Sequence, residues 1–317
     1  MKSVSNKVSV VIPAYNAERY IAEAIESVLS QFCPAHQLII VNDGSTDDTG
    51  RIARSYGDSL IVIDKENGGV SAARNHGAQL VTGDWVIFLD ADDFMVSTAI
   101  CDLLGLSNDR RYGVVYGGIV EFDTKSGKRT PRGGGNAEGL PPFPAKANFP
   151  RALIVTPGAA MVRMDLHNKI GGFHKPWQPA EDRDYWIKLG VNTGFRFINK
   201  VVLEKRFHKS QSTKKYMETL IYWGMVVQLD YLKWLDEQGI DKDFLHTDPR
   251  KIALHTIRKT LRTRRWNSLK LILETLSERG ISSPVISLTR LIDKIRRFAV
   301  FHFSVLSSRN TNTGEIK

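Results

Sequence analysis

Trp85-Val86-Ile87-Phe88-Leu89-Asp90-Ala91-Asp92-Asp93 is a short apolar run that ends in three carboxylates. Its apolar part suits a strand buried on both faces, and the acids follow at its carboxyl end, where open α/β sheets hold their ligands. Acids one residue apart on an extended backbone face the same side, so Asp90 and Asp92 can converge on one cation. Mg²⁺ or Mn²⁺ takes such oxygen ligands and fills its shell with water and substrate phosphates. In isolation the run would read as a solvated acidic turn; its place at the end of a strand favours a site.

Upstream, apolar runs alternate with helical patterns, the signature of βαβ units and a mainly parallel, Rossmann-like sheet flanked by helices. Strands are expected at Val8–Ile12, Leu38–Val41, Leu60–Ile63 and Trp85–Leu89, and helices at Ala17–Gln31 and Val70–Val81. Asp43-Gly44-Ser45-Thr46-Asp47-Asp48 supplies a turn and an acidic helix start. The Gly- and Pro-rich stretch from Asp123 to Pro150 reads as a long mobile loop. Beyond it, Glu181–Leu189 has a helical pattern and Phe195–Phe207 a strand pattern, and everything after Ser210 reads as helical. The expected division is an α/β domain over 1–210 and a basic α-helical region over 211–317.

Four motifs stand in order: Val8-Ser9-Val10-Val11-Ile12-Pro13-Ala14-Tyr15-Asn16, Val41-Asn42-Asp43-Gly44-Ser45-Thr46-Asp47, Phe88-Leu89-Asp90-Ala91-Asp92-Asp93 and Glu181-Asp182. In order and spacing they resemble the inverting family 2 glycosyltransferases, which have the GT-A fold, over roughly residues 7–210. The resemblance implies that Pro13, Ala14 and Tyr15 line the nucleoside and that Asp43 accepts a hydrogen bond from the base. Uracil, thymine and guanine offer an N–H for this and neutral cytosine does not, so a cytidine donor is disfavoured. Asn67-Gly68-Gly69-Val70-Ser71-Ala72-Ala73-Arg74-Asn75 is similar to the family segment that brings an Arg, here Arg74, to the donor. Glycines and a helix N-terminus there suit a close-lying phosphate.

By the same resemblance Asp90 and Asp92 hold a divalent metal, Mn²⁺ or Mg²⁺, with His208 as a further ligand of the metal or a contact to the diphosphate. Glu181 and Asp182 form the catalytic pair, with Asp182 the base. Inverting transfer needs one carboxylate to take the acceptor hydroxyl's proton while the metal steadies the departing diphosphate. His174 and Trp177 are placed near the acceptor. The expected reaction moves a sugar from a nucleotide-diphosphate sugar, a UDP-sugar foremost, to a hydroxyl of a saccharide or glycolipid acceptor in surface-polysaccharide or lipid-linked oligosaccharide synthesis.

Of the formal charge of +10, thirteen Lys or Arg against three acids fall between Arg250 and Arg297, so the basic surface belongs to the C-terminal region. Leu288, Leu291, Ile292, Ile295, Phe298 and Ala299 recur at helical spacing among Arg290, Lys294, Arg296 and Arg297, a pattern that packs on the domain or lies on an anionic membrane. The 317 residues contain no apolar run long enough to span a bilayer and no signal-peptide order at the start. A cytoplasmic location, peripheral on the membrane face, is therefore expected, and nucleic acid is not an expected partner. Cys33 and Cys101 suggest neither a disulfide framework nor a metal set. Competing readings are a polyprenyl-phosphate glycosyltransferase and a non-catalytic protein that binds polyanions or a partner through its basic tail. A dinucleotide oxidoreductase is disfavoured, because Pro13-Ala14-Tyr15-Asn16 replaces the glycine fingerprint after the first strand.

Overall fold

The computed structural model describes residues 6–132, 138–142, 145–146, 154, 156–174, 180–208, 219–263, 265–281 and 287. Two compact units are present, Met1–Lys215 and Tyr216–Lys317.

The first unit is built on a parallel half-sheet whose inner strands are apolar because both faces are covered. In β1 (Val8–Ala14) all seven residues are buried, and it lies parallel to both β2 (Gln37–Asn42) and β4 (Trp85–Phe88). β3 (Ile61–Asp64) extends the sheet beyond β2. The intervening α1 (Ile21–Leu29) turns Ile21, Ala24, Ile25 and Val28 inward. It begins four residues later than the sequence suggests, because Ala17 is occupied in a turn whose N–H donates to Thr49 Oγ1 at 2.8 Å. After α2 (Thr49–Arg54), α3 (Val70–Ala78) lies so close to the sheet that a Cβ on Gly77 would stand 2.4 Å from Val11 Cγ1 and 3.0 Å from Val41 Cγ2.

The other half of the sheet is mixed. β8 (Ala160–Arg163) runs antiparallel to β4 and to β6 (Tyr112–Asp123), while β6 pairs in parallel with β9 (Gly194–Phe207). β5 (Phe94–Met95) pairs antiparallel with β9. Among the described residues the strand order is β3-β2-β1-β4-β8-β6-β9-β5. The link from β4 to β5 contains a turn in which Asp93 N–H donates to Asp90 O at 3.0 Å. So short a link cannot cross the ~19 Å of four strand spacings in a flat sheet, so the sheet curls around the acidic run. α4 (Ala99–Leu104), α5 (Met164–Lys169) and α6 (Glu181–Asn192) complete this unit.

Two expectations are corrected. The stretch after Asp123 is not all loop: β7 (Arg129–Arg132) folds back antiparallel on β6, and Asp123 Oδ1 closes the hairpin by accepting from Lys125 N–H at 2.8 Å and Ser126 N–H at 3.0 Å. Arg, Thr and Pro make up β7, so neither hydrophobic period marks it. Cys33 and Cys101 are joined in a disulfide across 68 residues, with Cα atoms 5.2 Å apart. They meet because Gln31 ties the end of α1 to the start of α4. Its Nε2 donates to Val96 O at 2.7 Å and its Oε1 accepts from Ile100 N–H at 3.0 Å.

The second unit contains α7 (Leu220–Glu237), α8 (Pro249–Arg262) and α9 (Trp266–Glu278). Asp248 caps α8 by accepting from Arg250 N–H at 2.8 Å and Lys251 N–H at 3.0 Å, with Pro249 in the first turn. The pattern from Leu288 onward lies outside the described residues. No described helix is long and apolar enough to cross a membrane.

Candidate active site

The site gathers at the carboxyl ends of β1, β2 and β4, where the connecting loops are tied together by side chains. Asn16, at φ 49°, accepts from Thr46 N–H through Oδ1 at 2.8 Å, and its own N–H donates to Ser45 Oγ at 3.0 Å. Asp47 Oδ2 accepts from Glu18 N–H at 3.1 Å. Pro13 and Ala14 are buried at the strand end, while the Tyr15 ring is half exposed at the mouth.

Asp43 is almost wholly buried, and three internal donors reach its carboxylate: Gly68 N–H at 3.0 Å, Gly69 N–H at 2.8 Å and the Lys65 ammonium. It therefore holds the Asn67-Gly68-Gly69 loop against the β2 end. Gly44, at φ +75°, permits this approach, since a Cβ there would stand 2.8 Å from Asn67 N.

Arg74 is buried on α3 and reaches both acidic motifs. Its Nη2 donates to Asp90 Oδ1 at 2.6 Å and its Nη1 to Glu181 Oε1 at 3.2 Å, while its guanidinium lies 4.9 Å over the Phe173 ring. Thr156 Oγ1 donates to Asp90 Oδ2 at 3.1 Å, so both oxygens of Asp90 have partners. Burial opposes the ionised form of Asp90, but Arg74, Lys205 and these hydrogen bonds outweigh it and hold its carboxyl below the usual range.

Asp92 points elsewhere. Its Oδ2 is 2.9 Å from His208 Nε2, and the imidazole lies 4.7 Å from the Tyr20 ring. Arg206 locks this part of the run: its N–H donates to Asp93 Oδ1 at 2.9 Å and its Nε to Asp92 O at 3.0 Å, while its side chain is paired with Glu23 between the Tyr20 and Phe94 rings. Asp93 is buried, and burial together with its neighbouring carboxylates pushes its carboxyl well up. Lys205 is half-buried in the field of Asp93, Asp90, Asp92 and Asp182. Burial works against its charge, but these acids outweigh that and raise its ammonium above the usual range. Lys205 forms no ion pair among the described residues.

Glu181 and Asp182 open α6. Burial, then repulsion from Glu181, pushes the Asp182 carboxyl up to about 7. Asp182 itself is half-buried. Beneath the pair, Phe173 stacks on Tyr185 at 4.0 Å, and Tyr185 Oη lies 2.9 Å from His167 Nδ1. Asn75 fastens Phe173 by accepting from its N–H and donating to its carbonyl, each at 2.8 Å. His174 is exposed just beyond this support, and Trp177 lies outside the described residues.

Thus Arg74, Asp90, Asp92, Glu181, Asp182 and His208 are brought together, whereas Pro13, Ala14, Tyr15 and Asp43 lie at the neighbouring ends of β1 and β2. Sequence reasoning missed Lys65, Thr156, Lys205, Arg206 and the support of His167, Phe173 and Tyr185. Two of these had a usable signal, because Lys205 and Arg206 stand two or three residues before His208.

The sequence model of glycosyl transferase family 2 matches residues 9–171, which carry the first three motifs. A Rickettsia typhi protein described as an uncharacterized glycosyltransferase is 31% identical over 250 residues, covering 75% of this chain and 77% of that protein. The chain belongs to glycosyl transferase family 2. As a family 2 glycosyltransferase it also resembles EpsE of Bacillus subtilis, which carries a glycosyltransferase name: 33% identity over 201 residues, 61% of this chain and 69% of EpsE. Some relatives are longer, and the match spans only 35% of one from Rickettsia conorii. The fold is that of the Staphylococcus aureus TarS 1-349 structure in complex with UDP-GlcNAc, with a TM-score of 0.58, 19% identity and coverage of 90% of this chain and 88% of that one. Membership retires the non-catalytic reading of the basic tail.

Proposed function

We propose that this glycosyltransferase moves a sugar from a UDP-sugar to a hydroxyl of a saccharide or glycolipid acceptor, with inversion, in surface-polysaccharide or lipid-linked oligosaccharide synthesis. The observation that carries the reading is the single guanidinium of Arg74 joining Asp90 to Glu181. It ties the acidic turn to the helix that bears Asp182, so the donor anchor and the base keep a fixed relation.

Asp182 takes the acceptor hydroxyl's proton. A carboxylate whose pKa stands at about 7 is ionised enough near neutrality to act and basic enough to pull the proton as the oxygen attacks. Glu181 holds α6 through Arg74 and, by repulsion, keeps Asp182 basic. Asp43 and the Lys65 ammonium set an acceptor beside a donor, a pairing that suits the adjacent N–H and C=O of uracil.

The divalent cation is assigned to Asp92 and His208. Their contact atoms are 2.9 Å apart, and an oxygen and an imidazole nitrogen suit Mn²⁺ or Mg²⁺ once phosphate oxygens and water complete the shell. Among the described residues no third His, Cys, Asp or Glu converges with them, and Asp90 is committed to Arg74 and Thr156. When bound, the metal supplies positive charge to the departing diphosphate. Lys205 presents a second cation to the same group.

A thermal-shift screen of UDP-, GDP-, dTDP- and CDP-sugars with and without Mn²⁺ tests the reading. A UDP-sugar at about a hundred times its dissociation constant should stabilise the protein by ~2.7 kcal/mol, and only with metal. Stabilisation by a GDP-sugar alone would move the donor assignment, and a metal-independent shift would remove Asp92 and His208 as ligands.

A further inference from the structure

The helix α8 buries Ile252, Ala253, Thr256, Ile257 and Thr260. Its outward arc has one character: from 251 to 262 every exposed position is basic, namely Lys251, His255, Arg258, Lys259 and Arg262. At 100° per residue these five fall on one stripe, which rises ~16 Å along the axis. No Asp or Glu occurs within the helix.

The neighbouring helices dress their exposed faces differently. α7 pairs Lys233 with Glu237 at 3.6 Å, and α9 pairs Lys270 with Glu274 at 3.7 Å, each at i,i+4. Mixed signs of that kind suffice for solubility. Among the described residues, only Lys251 on α8 has an acidic partner, the cap Asp248 at 3.9 Å. Arg258, Lys259 and Arg262 have no ion pair among the described residues. A row of uncompensated like charges repels itself, a cost that a matching anionic surface removes.

We infer that the outward face of α8 docks on an anionic phospholipid surface. Apart from the His255 imidazole the arc carries no ring, and it has no Asn or Gln amide to read base edges or sugar hydroxyls, which disfavours nucleic acid and glycan. It carries no large apolar side chain to enter a partner's pocket. A straight stripe of cations matches a planar field of phosphates, and attachment without apolar insertion is shallow and reversible. The face differs from the 288–303 segment, and it suits the proposed transfer to a lipid-borne glycan. The inference does not depend on that acceptor.

Full-length protein is sedimented with vesicles of phosphatidylcholine alone and of phosphatidylcholine with phosphatidylglycerol, at low and high salt. Binding is expected only to the anionic vesicles and should fade with salt. Each cation near such a surface strengthens partitioning about fivefold, so Lys251→Glu/Arg258→Glu/Arg262→Glu should weaken it by at least about a hundredfold while donor hydrolysis is unchanged. A control of equal charge, Lys7→Glu/Lys125→Glu/Lys128→Glu, should weaken it far less. Equal losses in the two triple variants, undiminished binding by the α8 variant, or no binding at low salt would each overturn the inference. So would tight binding of soluble polyphosphate that anionic vesicles fail to displace.

Discussion

Arg74 Nη1 lies 3.2 Å from Glu181 Oε1, 107 residues further along the chain, while Nη2 of the same guanidinium holds Asp90. A planar fork can satisfy two carboxylates at once, which an ammonium on a flexible stem does poorly. Arg74→Lys should therefore cost ten- to a hundredfold in kcat, of the order seen when a group far from the chemistry lets the reacting geometry slip. Arg74→Met should also destabilise the fold by about 3–5 kcal/mol, because two acids lose their buried partner. Steady-state kinetics with urea unfolding measure both. Full activity in Arg74→Lys would mean that the fork does not matter.

The proton should be taken by Asp182. Asp182→Asn should leave donor binding by calorimetry intact and lower kcat by about 10²–10⁴. Only the ionised carboxyl can accept the proton, so kcat/KM of the unaltered enzyme should rise tenfold per pH unit up to about 7 and then level. A profile already flat at pH 5 would place the base elsewhere.

His167 and Asp182 should push stability in opposite directions with pH. Burial lowers the His167 pKa from 6.5 to about 4, so its contribution is present above pH 6.5 and lost as pH falls toward 4. At neutral pH that amounts to about 3 kcal/mol. Asp182, raised from 3.8 to about 7, contributes most below pH 3.8 and loses that contribution as pH rises through 7. In Asp182→Asn, unfolding free energy should climb from pH 4.5 to 7; in His167→Gln it should decline. Parallel curves for the two variants would dismiss both assignments.

Reducing Cys33–Cys101 opens a loop of 68 residues, and typical losses for such a cross-link are about 2–4 kcal/mol. Dithiothreitol should lower the melting temperature, and Cys33→Ser/Cys101→Ser should reproduce that value with no further response to reductant. A melting temperature indifferent to both changes would show that the Gln31 hydrogen bonds already suffice.

Much of the parallel half was legible, because β1, β2 and β4 are covered on both faces and so read as unbroken apolar runs ending in turn residues. The acidic run was placed by the strand it follows. What escaped has a common physical cause, pairing between segments distant in sequence. The β6–β9 ladder joins Val114 to Phe195, the disulfide joins the loop after α1 to a helix that only the tertiary fold brings near, and β7 takes its conformation from β6 rather than from its own Arg, Thr and Pro residues. Lys205 looks like any surface lysine until Asp90, Asp92, Asp93 and Asp182 are assembled around it. The residues that hold Asp43 were hidden for the same reason, since Gly68 and Gly69 reach it through backbone N–H groups, which a pattern of side chains does not register.

Gly77 stands one turn beyond Arg74 on α3, where Val11 and Val41 leave no room for a methyl group. The reach of the Arg74 fork toward Asp90 is thus measured from a surface that a missing side chain sets. Any larger residue at 77 would act as a shim under the helix, tilting the tip of Arg74 away from both carboxylates without touching a polar atom. In this enzyme the gauge of the catalytic gap is a hydrogen atom on the sheet.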